Sequence, residues 1–114
     1  MNIDAIAYWN EVSSIVMEFS GTEAGTSYGT PAFKVNKKLF VRLKEDGKTI
    51  VVYNNEREKW MKQNPAVFFI TDHYKGYPLV LIDLAKVKKK DLNKLLYTSW
   101  QIRASKNLLK DLKK

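Results

Sequence analysis

The chain has 114 residues, no cysteine, one histidine and a formal net charge of +8. This length fits one ordinary domain spanning residues 1–114, and 45% hydrophobic against 28% charged residues favours a packed core over disorder. The lack of cysteine excludes a disulfide framework, cysteine metal sites and a cysteine nucleophile. No apolar run approaches the roughly 20 residues of a membrane span and no basic leader opens the chain, so the expectation is a cytoplasmic protein.

The charge is unevenly placed. Residues 1–85 hold ten Lys/Arg against ten Asp/Glu, whereas residues 86–114 hold nine Lys and one Arg against Asp91 and Asp111. A basic end on a neutral body fits contact with polyanions. On charge alone a lysine-rich, solvated helix that keeps the protein soluble accounts for it more simply.

Taken in chain order, Ala5, Tyr8, Trp9, Val12, Ile15, Val16 and Phe19 recur with helical spacing and predict an amphipathic helix over 3–19. Asn2 or Asp4 caps it and Gly21 ends it. "GTEAGTSYGTPAF" concentrates Gly25, Gly29 and Pro31, which forbids a long helix and predicts an extended, kinked first strand over about 26–35. Asn36-Lys37 is the next hairpin tip. Leu39, Val41 and Leu43 alternate with Phe40, Arg42 and Lys44 at strand period, Asp46-Gly47 marks a tight turn, and 49–53 returns as a β-branched strand.

Asn54 or Asn55 caps a short helix that Asn64-Pro65 stops. "AVFFI" (66–70) and "LVLIDL" (79–84) read as central strands joined by "TDHYKGYP". A last helix starts at Lys90-Asp91 with Leu92, Leu95, Leu96 and Ser99 on one face, and Leu108, Leu109 and Leu112 continue its apolar pattern. The expected fold is a two-layer α+β domain with a five-stranded, mainly antiparallel sheet in the order α-β-β-β-α-β-β-α.

Two segments, "TSYGTPAF" (26–33) and "HYKGYP" (73–78), with "LLYTSW" (95–100) after them, resemble the MmcQ/YjbR-like family of small bacterial proteins. The resemblance runs from the first helix to about Leu108. It implies the same two-layer α+β fold, and DNA binding through a double-wing arrangement of β-hairpins. Leu79 stands where that family often has tryptophan.

The residues themselves offer little catalytic chemistry. Ser27 or Ser99 with His73 and Asp72 would be needed for a nucleophile and base, but no nucleophile elbow is present, and Asp72 and His73 are adjacent and point apart in an extended segment. One histidine without cysteine gives no metal-ligand spacing, and the glycines lack a phosphate-loop ending. The expectation is a non-enzymatic monomer without cofactor or metal, not associated with a membrane.

For double-stranded DNA, Lys34, Lys37, Lys38 and Arg42 on the first hairpin would meet phosphates, with Lys75, Arg103 and Lys106 beside them. Lys34, Lys38 and Arg42 have matching parity within their strands, so several of them are expected to share a face. The alternative is a small-molecule or protein interaction module whose aromatic-lined cleft gathers Tyr28, Phe33, His73, Tyr74 and Tyr77. Trp100 is expected in the core.

Overall fold

The structure, a computed structural model, describes residues 2–104. Its first helix, α1 (Ile3–Val16), starts where the Asn2 side chain accepts the Ala5 N–H at 2.7 Å. Ala5, Val12, Ile15 and Val16 are its buried stripe. Short turns carry the chain from Met17 to Gly21, whose positive φ of 73° reverses it into the sheet.

Four strands follow in a meander: β1 (Thr22–Ser27), β2 (Thr30–Val35), β3 (Lys38–Leu43) and β4 (Thr49–Tyr53). After α2 (Arg57–Gln63) come β5 (Phe68–Phe69), one 3₁₀ turn (Asp72–Tyr74), β6 (Leu79–Asp83) and α3 (Lys89–Arg103). The sheet has six strands in the order β1-β2-β3-β4-β6-β5, and every neighbouring pair is antiparallel.

The fold class agrees with the expectation and the strand count does not. The single kinked strand over 26–35 is a hairpin: Tyr28 (φ 52°) and Gly29 (φ 80°) are its two turn residues. Positive φ at both centres is the mark of a type I′ turn, which suits the twist of the flanking strands. Asn36-Lys37 (φ 52° and 66°) makes the next turn the same way, as expected. In the third turn Gly47 has φ 74°, and a Cβ there would lie 2.9 Å from the Ala5 Cβ. Glycine is therefore required twice over, by backbone conformation and by the approach of α1. The Asp46 carboxylate closes this turn, accepting the Lys48 and Thr49 N–H groups and the Thr49 hydroxyl.

One face of the sheet carries the main core. Phe33, Val35, Val41, Leu43, Ile50, Val52, Val80 and Ile82 meet Val12 and Val16 of α1, Trp60 of α2, and Leu92, Leu95, Leu96 and Trp100 of α3. Trp100 is fully buried and donates its indole N–H to the Ser20 carbonyl at 2.9 Å. The 3.6 spacing of α3 thus predicts its buried face correctly. Leu108, Leu109 and Leu112 lie outside the described residues.

A bulge interrupts the β2–β3 ladder. Phe33 pairs with Val41 and Lys34 with Leu39, which leaves Phe40 without a partner. The next β3–β4 rung, beyond Val41–Val52, is filled by a side chain from α3. The Ser99 hydroxyl accepts the Tyr53 N–H at 2.9 Å and donates to the Phe40 carbonyl. The helix is thereby pinned at a point where the two strands do not bond directly.

Candidate functional site

Facing away from the helices, the sheet presents the cross-strand row Ala32, Arg42, Val51, Leu81 and Phe69, with Leu39, Tyr53 and Leu79 beside it. Cross-strand partners share a face, so the register fixes this set. The segment after β5 covers part of it: Tyr74 is buried against Val51, Leu79 and Leu81. What stays uncovered is a cleft of about 310 Å³, lined by Tyr28, Leu39, Phe40, Arg42, Val51, Tyr53, His73, Tyr74, Tyr77 and Leu79.

A residue that no sequence pattern marked holds the cleft wall in place. Arg57, the first residue of α2, donates from Nη1 to the carbonyls of Tyr74 (3.1 Å), Tyr77 (2.6 Å) and Leu79 (3.0 Å), and from Nη2 to Lys75 (2.6 Å). Nη1 has only two hydrogens, so one of its three bonds is shared. Hydrogen bonds to a charged donor contribute about 1.5–3 kcal/mol each in favourable surroundings. The Asn54 N–H adds a bond to the Pro78 carbonyl at 2.8 Å. The irregular backbone of 74–79 is therefore tied to α2 and to the end of β4. Its turn residues are legible in the sequence, but the arginine is legible only once the fold brings its guanidinium under the loop.

The opposite wall is the β1–β2 hairpin tip. Tyr28 is 86% exposed and lies in the left-handed region of backbone space, which a bulky residue rarely adopts. The Arg42 guanidinium sits 5.3 Å from its ring centroid. Arg42 itself is only 7% exposed, and Nη1 donates to the Thr30 hydroxyl at 3.0 Å, with the Glu45 carboxylate 3.6 Å away. A second depression of about 310 Å³ shares Tyr28, Arg42, His73 and Tyr74 with the first and adds Lys44 and Glu45. The Glu45 carboxyl is held below the ordinary glutamate range, chiefly by a backbone hydrogen bond and further by the positive charges of Arg42 and Lys44. The Lys44 ammonium lies 5.2 Å from the centre of the Tyr74 ring.

The residues expected in an aromatic cleft divide cleanly. Tyr28, His73, Tyr74 and Tyr77 line it together. Phe33 does not: it points to the helix side and stacks on Trp9, with ring centroids 5.1 Å apart. The expectation failed there because a core phenylalanine and a cleft phenylalanine have the same sequence appearance beside a Gly/Pro turn.

The basic residues are more scattered than their parity implied. The bulge at Phe40 shifts the register, so Lys34 pairs with Leu39 on the cleft side and Lys38 with Val35 on the core side. Arg42 is buried in the cleft floor. Lys34 and Arg42 therefore share the cleft face as expected, and Lys38 is turned to the other face because a single extra residue inverts its assignment. Lys34, Lys37, Lys38 and Lys75 are exposed. Arg103 donates Nε to the Leu39 carbonyl at 2.9 Å and lies against the Tyr53 ring at 4.2 Å. Lys106 lies outside the described residues.

Ser99 is fully buried and committed to the Tyr53 and Phe40 backbone. His73 is exposed and meets Tyr74 edge to face at 4.8 Å. Among the described residues no group of three or more His, Cys, Asp or Glu is placed to hold a metal ion, and no helix is long and apolar enough to cross a membrane.

A family model described as YjbR matches residues 17–102, from the end of α1 to the last turn of α3. The chain belongs to the YjbR family. The match takes in both cleft walls and the Arg57 clamp of this YjbR chain. Uncharacterized proteins of Mycobacterium bovis and Mycobacterium tuberculosis are 33% identical to it over 69 residues, which is 60% of this chain and 47% of theirs. The chain spans about half the length of these curated relatives. The crystal structure of Deinococcus radiodurans protein DR2400, carrying a DUF419 domain, superposes with a TM-score of 0.75 at 17% identity, covering 92% of this chain and 87% of that one. The YjbR fold is thus shared where little of the sequence is.

Proposed function

We propose that this YjbR protein is a non-enzymatic binding module whose working surface is the tyrosine-lined cleft on the helix-free face of the sheet. The observation that carries this reading is Tyr28, a large aromatic side chain 86% exposed and set on a positive-φ turn residue at the cleft mouth. Exposing an aromatic ring forgoes burial, and a bulky residue at positive φ costs on the order of 1 kcal/mol or more. Tyr77, 59% exposed, faces the same space from a backbone fixed by Arg57. The cleft volume falls at the lower end of small-molecule sites, and an apolar floor with a few polar groups is their usual make-up. Tyrosine hydroxyls, a guanidinium and an imidazole with no hydrogen-bonded carboxylate among the described residues support binding rather than bond-making chemistry.

Double-stranded DNA is the second reading, favoured by exposed Lys34, Lys37 and Lys38 around the β2–β3 turn and by exposed Lys75. Here lysines would neutralise phosphates and release counterions, with an affinity that falls steeply with salt.

One NMR titration separates the two. Labelled protein is titrated with the neutral planar probes indole and adenosine, and separately with a short DNA duplex at low and high salt. Saturable shifts at Leu39, His73 and Tyr77 with the small probes support the cleft. Shifts confined to Lys34–Lys38 and Lys75, appearing with duplex only and lost in salt, reject it in favour of DNA.

A further inference from the structure

The charged groups at the cleft bear on the chemical class of ligand it would take. This inference rests on the cleft being the working surface. Arg42 is more than nine-tenths buried, yet only Nη1 of its guanidinium meets acceptors: the Thr30 hydroxyl at 3.0 Å, the Leu43 carbonyl at 3.4 Å and the Glu45 carboxylate at 3.6 Å. Nε and Nη2 take no acceptor among the described residues. They are not sealed in the interior either, since the buried, unpartnered side-chain atom of the described residues is Thr22 Oγ1. A guanidinium carries five N–H donors in a fixed fork, and those of Nε and Nη2 are left open to water or to the acceptors of a ligand. Arg42 lines both depressions, the aromatic chamber and the charged end.

Each neighbour adds to the same polarity. Lys44 lies at the charged end beside Arg42, and Lys34 shares the sheet face. Among the described residues the one carboxylate in the lining is Glu45, whose side chain is 63% exposed. An exposed side chain at 3.6 Å is a loose partner and can be displaced. On the aromatic side stand Tyr28, Tyr53, Tyr74, Tyr77 and His73 over Val51 and Leu79.

We infer that the cleft binds a planar aromatic anion, with its ring among Tyr28, Tyr77 and His73 and its carboxylate or phosphate on the free donors of Arg42, where it displaces Glu45. The guanidinium matches both oxyanions bidentately, which a neutral ring cannot exploit. Glu45 acts as a built-in competitor that keeps Arg42 partly neutralised while the site is empty.

The test pairs each probe with its neutral counterpart. Affinities of indole-3-acetate against indole, and of adenosine monophosphate against adenosine, are measured by calorimetry or NMR on the whole chain. The anion of at least one pair is expected to bind about tenfold or more tightly, the size of one charge-assisted hydrogen bond. Which pair shows the gain distinguishes an aromatic acid from a nucleotide. Glu45→Gln removes the competitor at an exposed position and is expected to tighten the anion about threefold while leaving the neutral probe unchanged. Arg42→Gln is expected to erase the anion's advantage. If that variant unfolds, Glu45→Gln still decides the matter. Neutral and anionic probes binding equally well, with no effect of Glu45→Gln, would overturn the anion inference and leave the cleft standing. Absence of binding by all four probes would remove the cleft reading itself. Anion-dependent shifts confined to Lys86–Lys94, with the cleft silent, would overturn both.

Discussion

On its helix side the sheet buries Phe33, Val41, Ile50, Val52, Val80 and Ile82 beneath three helices; on the other side the buried cluster is Val51, Tyr74, Leu79 and Leu81. The first face is sealed by side-chain packing along whole helices. The second is half-covered by a short segment whose position depends on backbone carbonyls gathered by one arginine. Apolar packing spreads its free energy over many contacts, so no single residue defines the helix face. The cleft depends on a few polar groups and a strained turn, so single substitutions there change shape or affinity without unfolding the domain.

The largest effect is expected where the helix side departs from pure packing. Ser99→Ala removes the hydroxyl between the Tyr53 N–H and the Phe40 carbonyl and leaves a buried carbonyl and a part-buried N–H unpaired. The expected loss is about 2–4 kcal/mol, read from urea unfolding. A loss below about 0.5 kcal/mol would mean that the two strands close directly on each other once the hydroxyl is gone, and that Ser99 pins nothing.

These two faces also differ in how much of them the sequence makes visible. Leu92, Leu95, Leu96 and Ser99 announce the buried stripe of α3 through their spacing, and the Asp46-Gly47 and Asn36-Lys37 turns are plain from residue type. Strand β1 is hidden because an edge strand exposed on both faces has no alternation to read: "TEAGTS" looks like a loop. The β1–β2 turn is hidden for a related reason, since tyrosine is not the residue that positive φ favours. The aromatic members of the cleft could be named from "SYG" and "HYKGYP", but their gathering depends on the register. One bulge at Phe40 was enough to separate Lys34 from Lys38. Arg57 looks like any charged residue at a helix start, since four carbonyl acceptors leave no trace in residue type.

An intermediate effect is expected from breaking that clamp. Arg57→Ala should cost about 1–2 kcal/mol globally, because the loop can hydrate part of what it loses. The sharper readout is local. Amide exchange of Tyr77 and Leu79 should accelerate far more than that of Val52 or Ile82, and probe binding should weaken. Arg57→Lys should not restore protection, since a compact ammonium cannot span the four carbonyls that the forked guanidinium reaches. Uniform acceleration across both faces would show that the cleft wall is part of the main cooperative unit and not a separately held cover.

The smallest effect has the opposite sign. Tyr28→Asn replaces a strained turn residue by one that tolerates positive φ and creates Asn-Gly, the preferred pair for a type I′ hairpin. Stability should rise by about 0.5–1 kcal/mol, since an Asn at this φ relieves strain and Tyr28 contributes almost no buried area. The same change removes the ring that stands over Arg42 and should weaken planar probes severalfold. Gain of stability with loss of binding would mark Tyr28 as a residue kept for the cleft at the fold's expense. Loss of both would show instead that the Arg42–Tyr28 contact holds the hairpin tip down, and that the exposed ring serves the sheet rather than a ligand.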